Sequence, residues 1–201
     1  MNATRFTIQL SSFVVVLALI SSCPLQTVAQ DGHSHTPAMQ HNQFAPEQKN
    51  DAATLLKIVR ESTERFQDVS VAEAEGYVLQ FGCVSGSDAG AMGLHYVNGA
   101  LVGSGILDPS RPQIVIYEPT PNGRPRLIGA DYLVLADMWN ATHSAPPELM
   151  GQLFHLFESP NRFGLPAFYT LHVWAWKENP NGAFVNWHPK VSCETFSGLN
   201  P

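Results

Sequence analysis

Basic residues are scarce in this chain: 11 lysines and arginines stand against 17 acidic residues, for a net charge of -6. Nucleic-acid recognition draws on a basic face or a Lys/Arg cluster. None exists here, so a nucleic-acid partner is excluded. Charge of either sign is thin at 14%, while 15 glycines and 15 prolines punctuate the chain. That balance disfavours a helical bundle and suits a turn-rich, strand-rich extracytoplasmic domain. Motifs for nucleophilic or protease-type catalysis are missing as well. There is no GxSxG elbow, no HExxH and no SxxK, and the glycine-rich stretch from Gly82 to Gly93 lacks the Lys-Ser/Thr ending of a phosphate-cradling loop. Cysteine occurs 3 times with no CxxC spacing, which removes a thioredoxin-type redox site.

What is present begins with an export signal over residues 1–29: Arg5, the apolar run Phe13 to Ile20, then small residues ending Thr27-Val28-Ala29. The apolar run is too short to span a bilayer as a helix. Ile20-Ser21-Ser22-Cys23 also resembles a lipobox, and this second processing route would make Cys23 the lipidated terminus, the chain's one means of membrane attachment. Either route takes Cys23 out of the thiol inventory and leaves Cys83 and Cys193, an even pair that reads as one disulfide in a periplasmic or extracellular compartment. Residues 30–49 form a tail without apolar periodicity that carries His33, His35, Met39 and His41, side chains that suit a collecting site for a transition metal. Residues 50–201 are long enough for one well-buried domain.

Within that domain, Leu55, Ile58, Val59, Ser62 and Phe66 follow the helical period, with Asn50 or Asp51 as cap and Glu61–Arg65 as an i,i+4 pair. A capping box at Ser70 to Glu73 and a stop at Gly76 signal a second helix, and the two make a helical hairpin that covers a sheet face. Asn122-Gly123 marks a hairpin between Gln113–Glu118 and Arg126–Leu135. With Glu118 facing Arg126 as an ion pair, Ile116 faces Ile128 and Ile114 faces Ala130. Asp131 falls on the other face from Ile128 and Ala130, among apolar residues, where a carboxylate must be hydrogen-bonded or paired. Ala183 to Trp187 reads as a last short strand.

The densest apolar and aromatic stretch, Gly151 to Lys177, organises the rest. Alternation puts Phe168, Thr170, His172, Trp174 and Trp176 on one face of a strand, and Leu153, His155 and Phe157 on one face of its partner. If the two pair antiparallel, His155 and His172 lie opposite or diagonal to one another. With His95 on an earlier strand and Glu118 or Asp131 as the acid, three nitrogens and one oxygen can surround copper, zinc or iron. Each histidine alone is better explained as a core residue satisfied by a carbonyl or an acid, and it is the three together in one sheet that bring the metal reading level with that one. Trp174 and Trp176 beside His172 also suit an aromatic pocket for a small molecule held without metal.

The segments Leu94-His95-Tyr96-Val97-Asn98, Leu107-Asp108-Pro109, Tyr117-Glu118-Pro119, Phe154-His155 and Leu171-His172-Val173-Trp174 resemble a group of exported bacterial proteins of unassigned function. The resemblance covers about Tyr77 to Cys193 and implies an exported bacterial domain; it carries over no mechanism. The expected architecture is α+β: a mainly antiparallel, curved or partly barrel-like sheet with the N-terminal helical hairpin packed on it. The expected function is an exported metal-binding protein. A metal-free ligand-binding module and a metal-dependent enzyme are its alternatives.

Overall fold

The computed structural model describes residues 46–86 and 88–198. The expected export signal with Cys23, and the tail residues His33, His35, Met39 and His41, lie outside the described residues.

The amphipathic pattern forms helix α1 (Pro46–Thr63), which begins before the cap signals at Asn50 and Asp51 and runs on as a 3-10 turn, Glu64–Gln67. Leu55, Val59 and Phe66 are buried. That tightening changes the angular spacing of the side chains, so Arg65 is no longer one helical turn from Glu61. Arg65 instead forms a two-pronged bond to Glu75, at 2.7 and 2.8 Å, and Lys57 takes Glu61 at 3.7 Å. Helix α2 (Val69–Ala74) is capped by Asp68, whose Oδ1 accepts from the Ser70 N–H at 3.0 Å, rather than by Ser70. Among the described residues, no helix is long and apolar enough to cross a membrane.

Strands β1 (Tyr77–Ser85), β2 (Ala91–Asn98), β3 (Ile114–Glu118) and β4 (Arg126–Leu135) form an antiparallel meander, with the short helices α3 (Gly99–Ser104) after β2 and α4 (Ala136–Asn140) after β4. A separate two-stranded ladder, β5 (Glu148–Leu149) and β6 (Gln152–Leu153), precedes β7 (His155–Phe157) and β8 (Phe168–Val173). Strand β8 docks on β4 and β7 closes the edge, giving a six-stranded order of β1-β2-β3-β4-β8-β7 in which every pairing is antiparallel. The architecture is α+β, and the sheet is curved without closing.

Two local expectations need correction. Glu118 faces Arg126, but a bulge between Ile116 and Tyr117 sets Ile116 opposite Gly129 and Ile114 opposite Asp131, not Ile128 and Ala130. The extra residue, Ile128, is where the end of β8 turns away: its carbonyl accepts from both the Trp176 and Lys177 N–H groups at 3.1 Å. For the same reason the run from Phe168 stops as a strand at Val173 rather than at Trp176. The expected strand Ala183–Trp187 is irregular, touching the sheet through a bridge from His188 to Ala91 and a Trp174 N–H to Ala183 carbonyl bond of 2.9 Å.

The two sheet faces have different fates. On one, Leu55 and Val59 of α1 pack on Ala130, Tyr132, Leu171 and Val173. Each of the buried leucines and valines among them contributes about 1.5 to 3 kcal/mol. The other face carries His95, Ile114, Asp131, Leu133, Thr170 and His172 and curls over a cavity.

Cys83 and Cys193 form a disulfide with a Cα–Cα distance of 5.7 Å across 110 residues of sequence. It ties the C-terminal segment to β1. Thiol titration of the unfolded, unreduced protein is expected to find neither cysteine reactive. Cys193→Ser is expected to lower stability to urea by about 4 to 5 kcal/mol on the chain-entropy account of loop closure. Two free thiols in the unreduced protein would contradict this.

Candidate metal centre

His95 lies on β2 and His172 on β8, with β3 and β4 between them. In a flat sheet three strand spacings would hold them about 14 Å apart. Their Nε2 atoms are instead 3.4 Å apart, with ring centroids at 5.7 Å and planes at 74°. The curl that achieves this depends on close backbone approach at two glycines. A Cβ on Gly93, which has φ +91°, would sit 2.5 Å from the Tyr117 carbonyl oxygen, and one on Gly129 would sit 2.6 Å from that of Val173. No larger residue fits either place.

Asp131, on the strand between, completes the group: one donor atom from each of His95, Asp131 and His172 lies within 4.8 Å of the others, and all three residues are buried. The His95 Nδ1–H donates to the Gly93 carbonyl at 3.1 Å. That bond fixes the tautomer and leaves Nε2 as a lone pair aimed at His172. The Nε2 pair has the spacing of two vertices of a tetrahedral metal site. With metal–nitrogen bonds of about 2.05 Å, two ligands at the tetrahedral angle stand about 3.3 Å apart.

Burial sets the charge states. It depresses His95 to about 4, aided by His172, while Asp131 and the Gly93 carbonyl pull the other way. Burial depresses His172 further, to about 3, with His155 adding to the effect and Asn186 opposing it. Burial raises the Asp131 carboxyl to about 6, against the nearby histidines and the bonds it accepts from the Thr170 hydroxyl and the Leu171 N–H. At neutral pH the group is therefore two neutral imidazoles and a carboxylate, a buried net negative charge. The His172 Nδ1 lies 3.7 Å from the carboxylate, beyond hydrogen-bond reach, and as part of a neutral imidazole it does not offset that charge.

Two buried atoms at this place make no hydrogen bond: His172 Nδ1 and Asn186 Oδ1. The Asn186 side chain is near enough to favour a proton on the His172 ring, but no well-formed bond joins them. If His172 Nε2 donates its proton to His95, then Nδ1 is a lone pair facing the acceptors Asp131 and Asn186, an unfavourable arrangement. If both Nε2 atoms instead share a metal, His172 carries its proton on Nδ1, where those acceptors want it.

The group opens on a cavity of about 30 Å³. This holds two or three water-sized particles at most, each needing about 10 to 15 Å³. A small organic ligand needs several hundred, about 300 Å³ or more. Phenylalanines roof it: the Phe81–Phe163 and Phe157–Phe168 ring centroids are 5.4 and 5.1 Å apart. Phe81 reaches its place through a bulge in β1, Phe81-Gly82, at φ +63°, a conformation that a bulky side chain rarely adopts.

The other expected ligands stand elsewhere. His155 pairs with Thr170 and so lies diagonal to His172 on the same sheet face, but at the open edge its side chain is exposed and outside the group. Its charge still bears on Asp131 and His172. Glu118 is engaged by Arg126 and by Lys177 Nζ at 2.6 Å. Burial works to raise its carboxyl, and those bonds outweigh it, holding it below its ordinary value. Trp174 is buried between His172 and His188, with centroids at 5.9 and 5.0 Å, and the Trp176 Nε1–H donates to Thr63 at 3.0 Å. Neither lines the cavity. Sequence reasoning missed three contributors: Thr170, the Gly93 carbonyl and Asn186. Only Thr170 carried a signal, its alternation with His172.

Comparison of the chain with protein-family models, with curated proteins and with solved structures finds no match.

Proposed function

We propose that the protein is an exported metal-binding protein whose centre is His95, Asp131 and His172. The observation that carries the reading is the pair of Nε2 atoms, 3.4 Å apart in a buried cavity beside a carboxylate. A set of two imidazoles and an oxygen, without sulfur, favours zinc, iron(II) or copper(II) over copper(I). The fixed His95 tautomer and the idle acceptor on Asn186 support metal over a plain histidine–histidine hydrogen bond. Three protein ligands leave a coordination position open, as in catalytic rather than structural zinc sites. That favours a metal-dependent enzyme as the second reading. Export is supported by the disulfide, by the Phe13–Ile20 signal and by the resemblance to exported bacterial proteins.

A protein beginning at Asn42 removes His33, His35, Met39 and His41 and leaves α1 whole. Purified without an affinity tag or chelator, it is expected to hold about one equivalent of zinc, iron or copper by elemental analysis. If it holds none and takes up none on titration, the internal centre does not exist. Export has its own readout, the intact mass of the protein recovered from the cell envelope. A chain still beginning at Met1 contradicts it, and a diacylglycerol adduct on Cys23 selects the lipoprotein route.

A further inference from the structure

The concave face of the sheet also floors a second, larger cavity of about 450 Å³ that opens to solvent. Strand alternation builds the floor. Val97 lies two residues beyond His95 on β2, Leu135 lies two beyond Leu133 on β4, and Val78 of β1 stands opposite Val97. Val102 of α3 and Leu165 of the loop before β8 wall it. Among the described residues, no ionisable side chain lines this trough. Its one polar side chain is Gln80, opposite His95 in the register; it is exposed, and its amide makes no hydrogen bond among the described residues. Val97, Val102, Leu135 and Leu165 are only half-buried, and Val78 is 57% exposed.

We infer that this trough binds a neutral, mainly hydrocarbon small molecule with a single hydrogen-bonding head, such as a medium-chain alcohol, its body on the aliphatic floor and its head at Gln80. The inference is independent of the metal reading, since no part of it uses His95, Asp131 or His172. The volume falls within the range of small-molecule sites, about 300 to 1,000 Å³. The lining then selects the ligand by exclusion. A charged head would lose water and find no counter-charge, and a body with many hydroxyls would leave them unpaired on valine and leucine. One polar side chain accommodates one polar head. An amide both donates and accepts hydrogen bonds, as a hydroxyl does, so the two are matched. The half-exposed aliphatic side chains gain by being covered: each methylene of ligand and lining taken from water contributes in proportion to its area.

The test uses the whole processed protein and displacement of the neutral fluorophore N-phenyl-1-naphthylamine. Octan-1-ol is expected to displace it saturably, with affinity rising about fourfold per methylene from hexan-1-ol to nonan-1-ol. Octanoate and octylammonium, the same tail with charged heads, should bind at least about tenfold more weakly. Gln80→Ala should weaken octan-1-ol about 2- to 10-fold and leave the increment per methylene unchanged. Gly99→Leu adds bulk to the trough where a new Cβ meets nothing within 4 Å, and should weaken octan-1-ol about tenfold or more. Val102→Lys puts a cation in the lining from the half-buried side of α3, and should reverse the order so that octanoate binds better than octan-1-ol. Thermal melting shows which variants fold, and the head-group and chain-length series on the parent protein decides the question without them. No saturable displacement by octan-1-ol, or equal affinity for its charged analogues, overturns the inference. So does unchanged binding in folded Gly99→Leu and Val102→Lys. A concentration-dependent dimer that Gly99→Leu disperses overturns it as well, because a second copy of the chain would then fill the trough.

Discussion

Replacing His172 with alanine is expected to abolish stoichiometric metal uptake. Loss of an outer partner of a ligand typically costs 10- to 100-fold in affinity, so loss of a ligand itself should exceed about 100-fold. Alanine also leaves a gap beside Trp174, so Asp131→Asn serves as a shape-preserving companion. It keeps the volume and a hydrogen-bond acceptor for Thr170 while removing the charge, and should weaken binding as well. His155→Ala and Glu118→Gln are the contrasting pair. Both side chains lie outside the buried group, and isothermal titration should find metal affinity within about threefold of the parent for each. Equal losses across all four variants would mean that the geometry around His95 and His172 does not define the centre.

Acid should destabilise the metal-free protein by a predictable slope. Between about pH 4 and 6, the unfolded chain has His95 and His172 protonated and Asp131 ionised, from ordinary values near 6.5 and 3.9. The folded chain is the reverse, with the histidines depressed to about 4 and about 3 and Asp131 raised to about 6. The depressed histidines contribute stability that is present above pH 6.5 and lost as pH falls. The raised carboxyl contributes stability present below pH 4 and lost as pH rises. Unfolding in this window thus takes up two protons and releases one. The net proton gives a loss of about 1.4 kcal/mol per pH unit on acidification, on the order of 3 kcal/mol from pH 6 to 4. Asp131→Asn removes the opposing group, so its stability should fall more steeply, by about a further 1.4 kcal/mol per unit. Urea unfolding of both chelator-treated proteins at pH 6, 5 and 4 measures the difference. Parallel lines would show that Asp131 is not raised.

The sequence was most legible where a pattern is local. Alternation around His172 survives intact in β8, the Asn122-Gly123 turn does join β3 to β4, and Glu118 meets Arg126 across that hairpin. The disulfide followed from arithmetic on the cysteines. The illegible parts arise from irregularity and curvature. Nothing in the letters Phe81-Gly82 announces a bulge that swings a phenylalanine over a cavity, and one inserted residue at Ile128 shifts a register that looked self-consistent. Of the candidate site, His95, Asp131 and His172 were all in view, but so were His155 and Glu118. Choosing among them required knowing how far the sheet bends, a sum of small twists at Gly93, Gly129 and the bulges rather than a property of any one residue. His155 shows the limit of alternation: it predicts a face, and the depth of a side chain depends on whether a neighbouring strand lies beyond it.

The three donors come from strands far apart along the chain, His95 and His172 being separated by 77 residues. An unfolded chain therefore offers this metal no ready chelate, since bringing those ligands together carries the full entropy of closing long loops. Binding is confined to the native state, and mass action turns occupancy into stability: free metal at 100 times its dissociation constant would add about 2.7 kcal/mol. His33, His35 and His41 are close neighbours in sequence, so an ion held by them would need no folded domain and its occupancy would lend the fold almost nothing. Melting temperature against metal concentration thus separates the two populations of ligand, because only ions at the strand-borne centre raise it.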